Sequence, residues 1–357
     1  MPTDIIITHN DLKDSAIDDV INLQRSLQNN GGERIEEIKT PFWLNPVFYY
    51  AVAATLGALA AWGLLEPFYN EKNNKHHIPF ISDFILFGSI AGMLGLSLGC
   101  VYGVSNRNLK QTAYCALVGI GVGLGATILT TFIADVVFGL TMQLAAGMAR
   151  GHGILQPGEF PFKGMSFFVL LCGRSIAWSI VATGAGLGLG IALKSKKLIL
   201  NGFVGGLLGG LLGGLFFDPI SRFVTHGTAT AGLSRGVGFC AVGLLVGLFT
   251  GIFENLSKEA WFLMVKGPLA GKQFIIFKSP MLIGSSPKSD VYLFKDPDIA
   301  PQHATVVKNG SKYVLKDGGS EKGTFVNGKK IDNYILQTSD NIVIGETVLR
   351  YSEKQRA

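Results

Sequence analysis

Charge is what this sequence has least of. Only 16% of its 357 residues are Asp, Glu, Lys or Arg, against about 25% in an average soluble domain. The shortage is local: residues 1–41 and 258–357 are polar and charged, while residues 42–257 contain long runs without ionised side chains. Cysteine is scarce as well. Cys100, Cys115, Cys172 and Cys240 all fall in or beside apolar runs, with no CxxC or Cys/His spacing. That excludes a disulfide scaffold and a zinc site, and leaves thiols that behave as small hydrophobes. His76-His77 is too small a set for a structural metal, which needs three or four ligands. Catalytic signatures are missing too: no G-x-S-x-G, no P-loop, no H-E-x-x-H and no kinase motif. The expectation is a protein that is not an enzyme and carries no cofactor. The formal charge of +6 is dispersed over loops and the C-terminal region. No basic patch interleaved with aromatics stands out, so nucleic acid is not an expected partner. The N-terminus opens on a polar, acidic segment, so no cleavable signal peptide is expected.

Glycine is abundant, with 47 residues, and its placement is informative. In NGFVGGLLGGLLGGLFFDPI, residues 201–220, three Gly-Gly pairs are separated by Leu-Leu. In water each glycine costs a helix about 0.5–1 kcal/mol against alanine. A flexible linker would be rich in Gly and Ser, not Gly and Leu. In hydrocarbon no water competes for the backbone, so the helix survives. There glycine clears one stripe of side chains so that a neighbouring helix can approach. Gly205, Gly209 and Gly213 form one stripe, and Gly206, Gly210 and Gly214 form the next. Such stripes serve contacts within one chain or between chains, so an oligomer is open.

A bilayer crossing needs about 20 apolar residues. Six stretches qualify: 44–65, 82–104, 113–137, 166–192, 198–217 and 236–256. After the third, weakly polar sequence continues to Gly147 and is read as lying along the interface. Two short loops are purely basic: 105–112 with Arg107 and Lys110, and 193–197 with Lys194, Lys196 and Lys197. Positive loops stay on the cytoplasmic side. The expected localisation is the cell (inner) membrane, with both termini cytoplasmic.

The spans repeat a plan: glycine ladder, acid, outer loop, arginine, second ladder. Asp135 and Arg174 occupy the acid and arginine places once, and Asp218 and Arg235 occupy them again. Glu66 ends the first span. These charges sit near the outer span ends. They either line a cavity or ion path, or mark helix ends at the headgroups, with arginines snorkelling. Their end-of-span position favours the second reading. Residues 10–28 read as an amphipathic helix, capped by Asn10 and stopped by Asn30-Gly31-Gly32. Acids outnumber bases across residues 1–40, which disfavours an anionic lipid surface.

From residue 258 the pattern becomes short alternating strands with tight turns. Strands are expected at 261–266, 273–278, 281–284, 290–294, 304–308, 312–316, 324–326, 342–344 and 347–351, with turns at Asn309-Gly310, Gly318-Gly319 and Asn327-Gly328. This spacing indicates a β-sandwich. The stretches Met281–Gly284, Ser289–Val291, Gln302–Ala304, Leu315–Asp317, Ser320–Gly328 and Asp340–Gly345 carry a resemblance. Segment 261–352, about a quarter of the chain, resembles a forkhead-associated (FHA) domain. The whole layout is similar to FHA-domain-containing membrane proteins of bacteria. The fold class expected is thus a membrane all-α six-helix bundle (42–257), preceded by a cytoplasmic segment (1–41). An all-β FHA/SMAD-like sandwich (258–357) follows the bundle.

The resemblance implies phosphothreonine-peptide recognition by loops at one end of the sandwich. It also implies which residues carry it. The family's arginine after the first glycine, Gly284, is here Ser285, followed by Ser286. Its serine before the histidine is Ala300, its arginine next to the histidine is Gln302, and its asparagine before Gly-Thr is Lys322. Gly284, His303, Ser320, Gly323, Thr324, Asn327 and Gly328 keep the pattern, and the family's histidine braces loops. Charge-assisted hydrogen bonds are worth roughly 1.5–3 kcal/mol each, and lysine lacks arginine's planar fork. Weak or lost phosphothreonine binding is expected, with a phosphate-independent protein contact in its place. The functional expectation is a membrane adaptor holding this domain to a protein partner. The alternative is a transporter or channel subunit regulated by it.

Overall fold

The computed structural model describes residues 45–68, 79–149, 162, 164–225 and 231–354. The expected helix over residues 10–28 and the pair His76-His77 lie outside them. Among the described residues six helices precede the strands: α1 (Pro46–Leu65), α2 (Pro79–Ser105), α3 (Leu109–Ala149), α4 (Met165–Ala192), α5 (Lys196–Thr225) and α6 (Ala231–Ser257). All six are long and apolar enough to cross a membrane. Asn45 caps α1, its Oδ1 accepting from the Val47 N–H at 3.0 Å. A single 3-10 turn, Glu66–Phe68, follows α1. α3 does not stop near residue 137 and lie down. It runs unbroken for 41 residues, about 60 Å at 1.5 Å per residue, because no proline or cap interrupts residues 138–149.

Each helix packs on the next, and α6 closes the ring on α1. The glycine stripes explain the closeness. Gly206, Gly210 and Gly214 of α5 face the backbone of Ala182, Trp178 and Ser175 on α4, while Gly205, Gly209 and Gly213 face Thr250, Val246 and Val242 on α6. A Cβ at Gly210 would stand 2.6 Å from the Trp178 carbonyl oxygen, too close for any side chain. Both stripes are therefore used inside one chain.

The same ladder is built three times. Gly95, Gly99 and Gly103 of α2 lie against Gly119, Cys115 and Thr112 of α3. Ala182, Gly186 and Gly190 of α4 lie against Gly206, Gly202 and Ile199 of α5. Gly243, Gly247 and Gly251 of α6 lie against Ala54, Tyr50 and Val47 of α1. The spacing is identical in each pair. The bundle is thus a pseudo-threefold arrangement of helix pairs, with the third pair made by the first and last helices.

Among the described residues eleven strands follow: β1 (Ala260–Lys266), β2 (Gln273–Ile275), β3 (Met281–Gly284), β4 (Val291–Tyr292), β5 (Ala304–Asn309), β6 (Lys312–Asp317), β7 (Thr324–Val326), β8 (Lys329–Ile331), β9 (Asn333–Ile335), β10 (Asn341–Ile344) and β11 (Thr347–Glu353). One sheet has the order β2-β1-β11-β10-β7-β8 and the other β4-β3-β5-β6-β9. Alternate residues of both, including Phe262, Met264, Ile283, Leu315, Ile342 and Leu349, fill a common core. The short β8 (Lys329–Ile331) and β9 (Asn333–Ile335) were not expected, because their mostly exposed polar residues show no alternation. β2 ends at Ile275 instead of residue 278. There the chain turns towards the helices, and the Phe277 carbonyl accepts from Ser195 Oγ at 2.8 Å.

Candidate functional site

Two sets of side chains stand out, one at each end of the molecule. The first is the loop cluster between β3 (Met281–Gly284), β4 (Val291–Tyr292), β5 (Ala304–Asn309), β6 (Lys312–Asp317) and β7 (Thr324–Val326). His303 is fully buried at its centre. Its Nδ1 accepts the Ala300 N–H at 3.1 Å, so Nε2 carries the proton and donates to the Gly323 carbonyl at 3.3 Å. The ring thereby ties the β4–β5 loop to the β6–β7 loop. Gly284 is required by a close approach: a Cβ there would run into the Pro301 carbonyl. Gly323 has φ +80°, and the Lys330 side chain lies across its face.

Asp317 organises the β6–β7 loop. Its Oδ2 accepts the Gly319 and Ser320 N–H groups at 2.9 Å each, and its Oδ1 accepts the hydroxyls of Ser320 at 2.7 Å and Thr324 at 2.6 Å. Burial works against the ionised form, yet the bonds from Thr324 and Ser320 hold the carboxyl below its usual range. Ser285 is likewise committed: its Oγ donates to the Ile299 carbonyl at 2.6 Å, and its N–H to Ala300. The Ser286 N–H donates to Pro301. Asn327 donates to Asp340 at 2.7 Å and braces the β7–β8 turn. On the exposed rim stand Gln302 and Lys322, whose ammonium is 3.8 Å from Asp298. The loops are thus satisfied among themselves, with lysine as the nearby cation.

The sandwich is seated on the helices through two turns of identical construction. In the α2–α3 turn Arg107 has φ 51° and the Asn108 N–H reaches back to the Gly103 carbonyl. In the α4–α5 turn Lys194 has φ 52° and the Ser195 N–H reaches back to Gly190. Asn108 and Ser195 then cap the next helix, accepting from Gln111 and Leu198. Both also grip the strand domain: Asn108 Nδ2 donates to the Pro287 carbonyl at 2.7 Å, and Ser195 Oγ to Phe277. Tyr102 Oη donates to the Asp290 carbonyl at 3.0 Å, and its ring meets Phe277 edge-on. Lys272 is buried here, donating to Ser105 at 3.1 Å and to Asn106. Pro287 and Asp290 belong to the β3–β4 loop, so one loop of the first cluster is anchored directly to the bundle. Sequence patterning gave no sign of these junction residues, because they are ordinary polar loop residues until the two folds meet.

The second set lies at the far end of the bundle. Asp135, Arg174 and Arg235 line a single cavity of about 230 Å³, together with Phe87, Phe138, Trp178, Phe217 and Phe239. Arg235 is held by Glu66 in a fork, Nε at 3.2 Å and Nη2 at 2.8 Å. The Arg174 guanidinium sits 5.7 Å from the Phe138 ring centre and 5.5 Å from that of Phe217. Asp218 follows Phe217 on α5.

A family model described as FHA domain matches residues 281–345. Among curated proteins, an oxoglutarate dehydrogenase inhibitor of Corynebacterium jeikeium is 35% identical over 94 residues, 26% of this chain and 65% of that protein. The same inhibitor of Corynebacterium diphtheriae is 32% identical over 99 residues, 28% of this chain and 68% of that protein. The glycogen accumulation regulator GarA of Mycolicibacterium smegmatis is 30% identical over 100 residues, 28% of this chain and 63% of that protein. The chain thus spans about 65% of the length of the first relatives it matches. Of solved structures, the FHA domain of the CT664 protein from Chlamydia trachomatis is 24% identical, covering 28% of this chain and all of that one, with a TM-score of 0.26. The FhaA FHA domain complexed with the intracellular domain of Rv3910 is 20% identical, covering 26% of this chain and 98% of that one, with a TM-score of 0.24.

Proposed function

From the premise that this chain belongs, through residues 281–345, to the FHA-domain family, we propose that it is an integral membrane adaptor. Residues 42–257 form the membrane domain, and residues 258–357 present an FHA domain to a protein partner at the inner face of the cell membrane. The two basic turns, 105–112 and 193–197, are the ones that grip the strand domain. Cytoplasmic placement of basic loops puts that domain, and both termini, on the same side. The observation that carries the reading is this grip: the β3–β4 loop is fixed by Asn108 and Tyr102, so the recognition end is held at a set height and orientation.

Partner recognition in this reading does not depend on phosphate. Ser285 and Ser320, two hydroxyls of the loop cluster, already donate within the domain, and no arginine stands at Ser285 or Gln302. That the similar proteins are named as an inhibitor and a regulator supports a role in protein contact over one in chemistry. A second reading, a transporter or channel subunit governed by the FHA domain, is favoured by the charged cavity at the far end.

Crosslinking and pull-down from native membranes test the adaptor. The full chain is expected to capture a partner that a chain lacking residues 258–357 does not; an unchanged set of captured proteins would sink the reading. Phosphorylated and unphosphorylated forms of the partner's peptide should bind the full chain alike, and micromolar binding of the phosphorylated form alone would overturn phosphate independence. Solute flux in vesicles, lost on substitution of Asp135, Arg174, Asp218 and Arg235, would favour the second reading.

A further inference from the structure

The three ladders supply a register for the far end of the bundle. Sixteen residues before Gly103, Gly190 and Gly251 stand Phe87, Arg174 and Arg235, one from each helix pair. All three line the same cavity. Two guanidiniums and one ring thus approach a common axis from equivalent places. Asp135 has no such counterpart: it is the single acid that lines this cavity among the described residues.

Why a cavity forms there follows from what the glycines receive. Near the strand domain they receive backbone, as at Gly99 against Cys115 and Gly186 against Gly202. Near the far end two of them receive rings: a Cβ at Gly236 would stand 2.9 Å from the indole of Trp62, and one at Gly238 would run into the ring of Phe217. Rings are thicker than backbone, so the helices are spread and a pocket is left on the axis. Trp178 closes its floor, stacked on Phe217 at 5.9 Å and edge-on to Phe87 at 5.5 Å and Phe239 at 5.6 Å.

We propose that this cavity is a binding site for a small zwitterion, an oxyanion facing Arg174 and Arg235 and an ammonium facing Asp135. Guanidiniums match carboxylate and phosphate in a planar, multidentate way. A bare anion suits the site less well. The charges of Arg174 and Arg235 are balanced by Asp135 on the wall and by Glu66 behind Arg235, so no net field concentrates anions. A ligand bringing both signs meets both. Amino acids and aminoalkyl phosphates share this chemistry, and so does an aminoalkyl-phosphate lipid headgroup. The site is independent of the adaptor reading, whose partner capture depends on residues 258–357.

The test uses the full chain in nanodiscs of phosphatidylglycerol and reads Trp178 emission as the wild-type signal minus that of Trp178→Phe. Phosphoethanolamine and leucine are titrated beside inorganic phosphate and ethanolamine. A saturable response to at least one zwitterion, absent with phosphate or ethanolamine alone, supports the site. Arg174→Gln and Asp135→Asn should each weaken it at least tenfold, with the thermal transition of the chain as a folding control. A response seen only when phosphatidylethanolamine replaces phosphatidylglycerol supports the same chemistry with the lipid as its source. Equal responses to phosphate and phosphoethanolamine, or no response in either membrane, overturn the proposal using wild-type protein alone.

Discussion

At residue scale the loop cluster of the strand domain depends on a few side chains buried within it. His303 joins two loops by two bonds in a dry setting. Replacing it with alanine strands the Ala300 N–H and the Gly323 carbonyl, at about 1–3 kcal/mol for each buried group left unpaired. Urea unfolding of the strand domain in the full chain, followed by emission of Trp261, should show a clearly lower midpoint; an unchanged midpoint would mean the loops stand without this brace. Lys272 yields a pH prediction. Burial at the junction pulls its pKa from the usual 10.5 down to about 7, with the charge of Glu254 opposing the shift. Between these values the undocked form holds a proton that the docked form has lost, so docking strengthens as pH rises from 7 to 10.5 and is weakest, and level, below 7. Protease cleavage at the helix–strand junction should slow across that window, and Lys272→Met should remove the slope due to this group.

At the scale of elements the glycines divide into two kinds, and substitution distinguishes them. Gly210 faces the Trp178 backbone, and Gly210→Val forces α4 and α5 apart. Overpacking of this kind costs about 1–3 kcal/mol or more, seen as a lower thermal transition of the detergent-solubilised chain. Gly121 of α3 has nothing near its missing Cβ. Gly121→Ala should be neutral or stabilising by about 0.5–1 kcal/mol through helix propensity. A fall in stability there would reveal a neighbour that α3 lacks within one chain. The two α5 stripes were readable from four-residue spacing alone, but their partners were not. Spacing says that a helix will come close, and only packing says which one. The repeat in the sequence pairs Asp135 with Asp218. The ladders instead bring Thr131, Asp218 and Glu66 into register, one turn away, because the outer loops differ in length while the helix contacts do not.

For the whole molecule the decisive feature is the seat of the strand domain on the two basic turns. Asn108→Ala combined with Ser195→Ala removes two bonds to its backbone, each worth about 1 kcal/mol. The pair should hasten limited proteolysis around residues 258–260, and the two lost N-caps should lower the thermal transition of the bundle modestly, at about 1 kcal/mol per cap. Equal cleavage rates would show that the turns do not hold the domain. If the adaptor reading is right, the same variant weakens partner capture, because the seat is loosened and the β3–β4 loop loses its Asn108 anchor.

What the sequence by itself determined was the content of each half. Long apolar runs without charge have only helices open to them in a bilayer, and short alternating runs with Asn-Gly and Gly-Gly turns form a sandwich. The residues at Gly284, His303 and Gly323 revealed the family because each answers a local need, a close approach, a buried brace and a positive φ. The tertiary structure alone decided that α6 closes on α1, that Asn108 and Ser195 grip the strand domain, and that Asp135, Arg174 and Arg235 meet at one cavity. Those outcomes join residues far apart in the chain, and such distances are set by how helices pack, which no local pattern encodes.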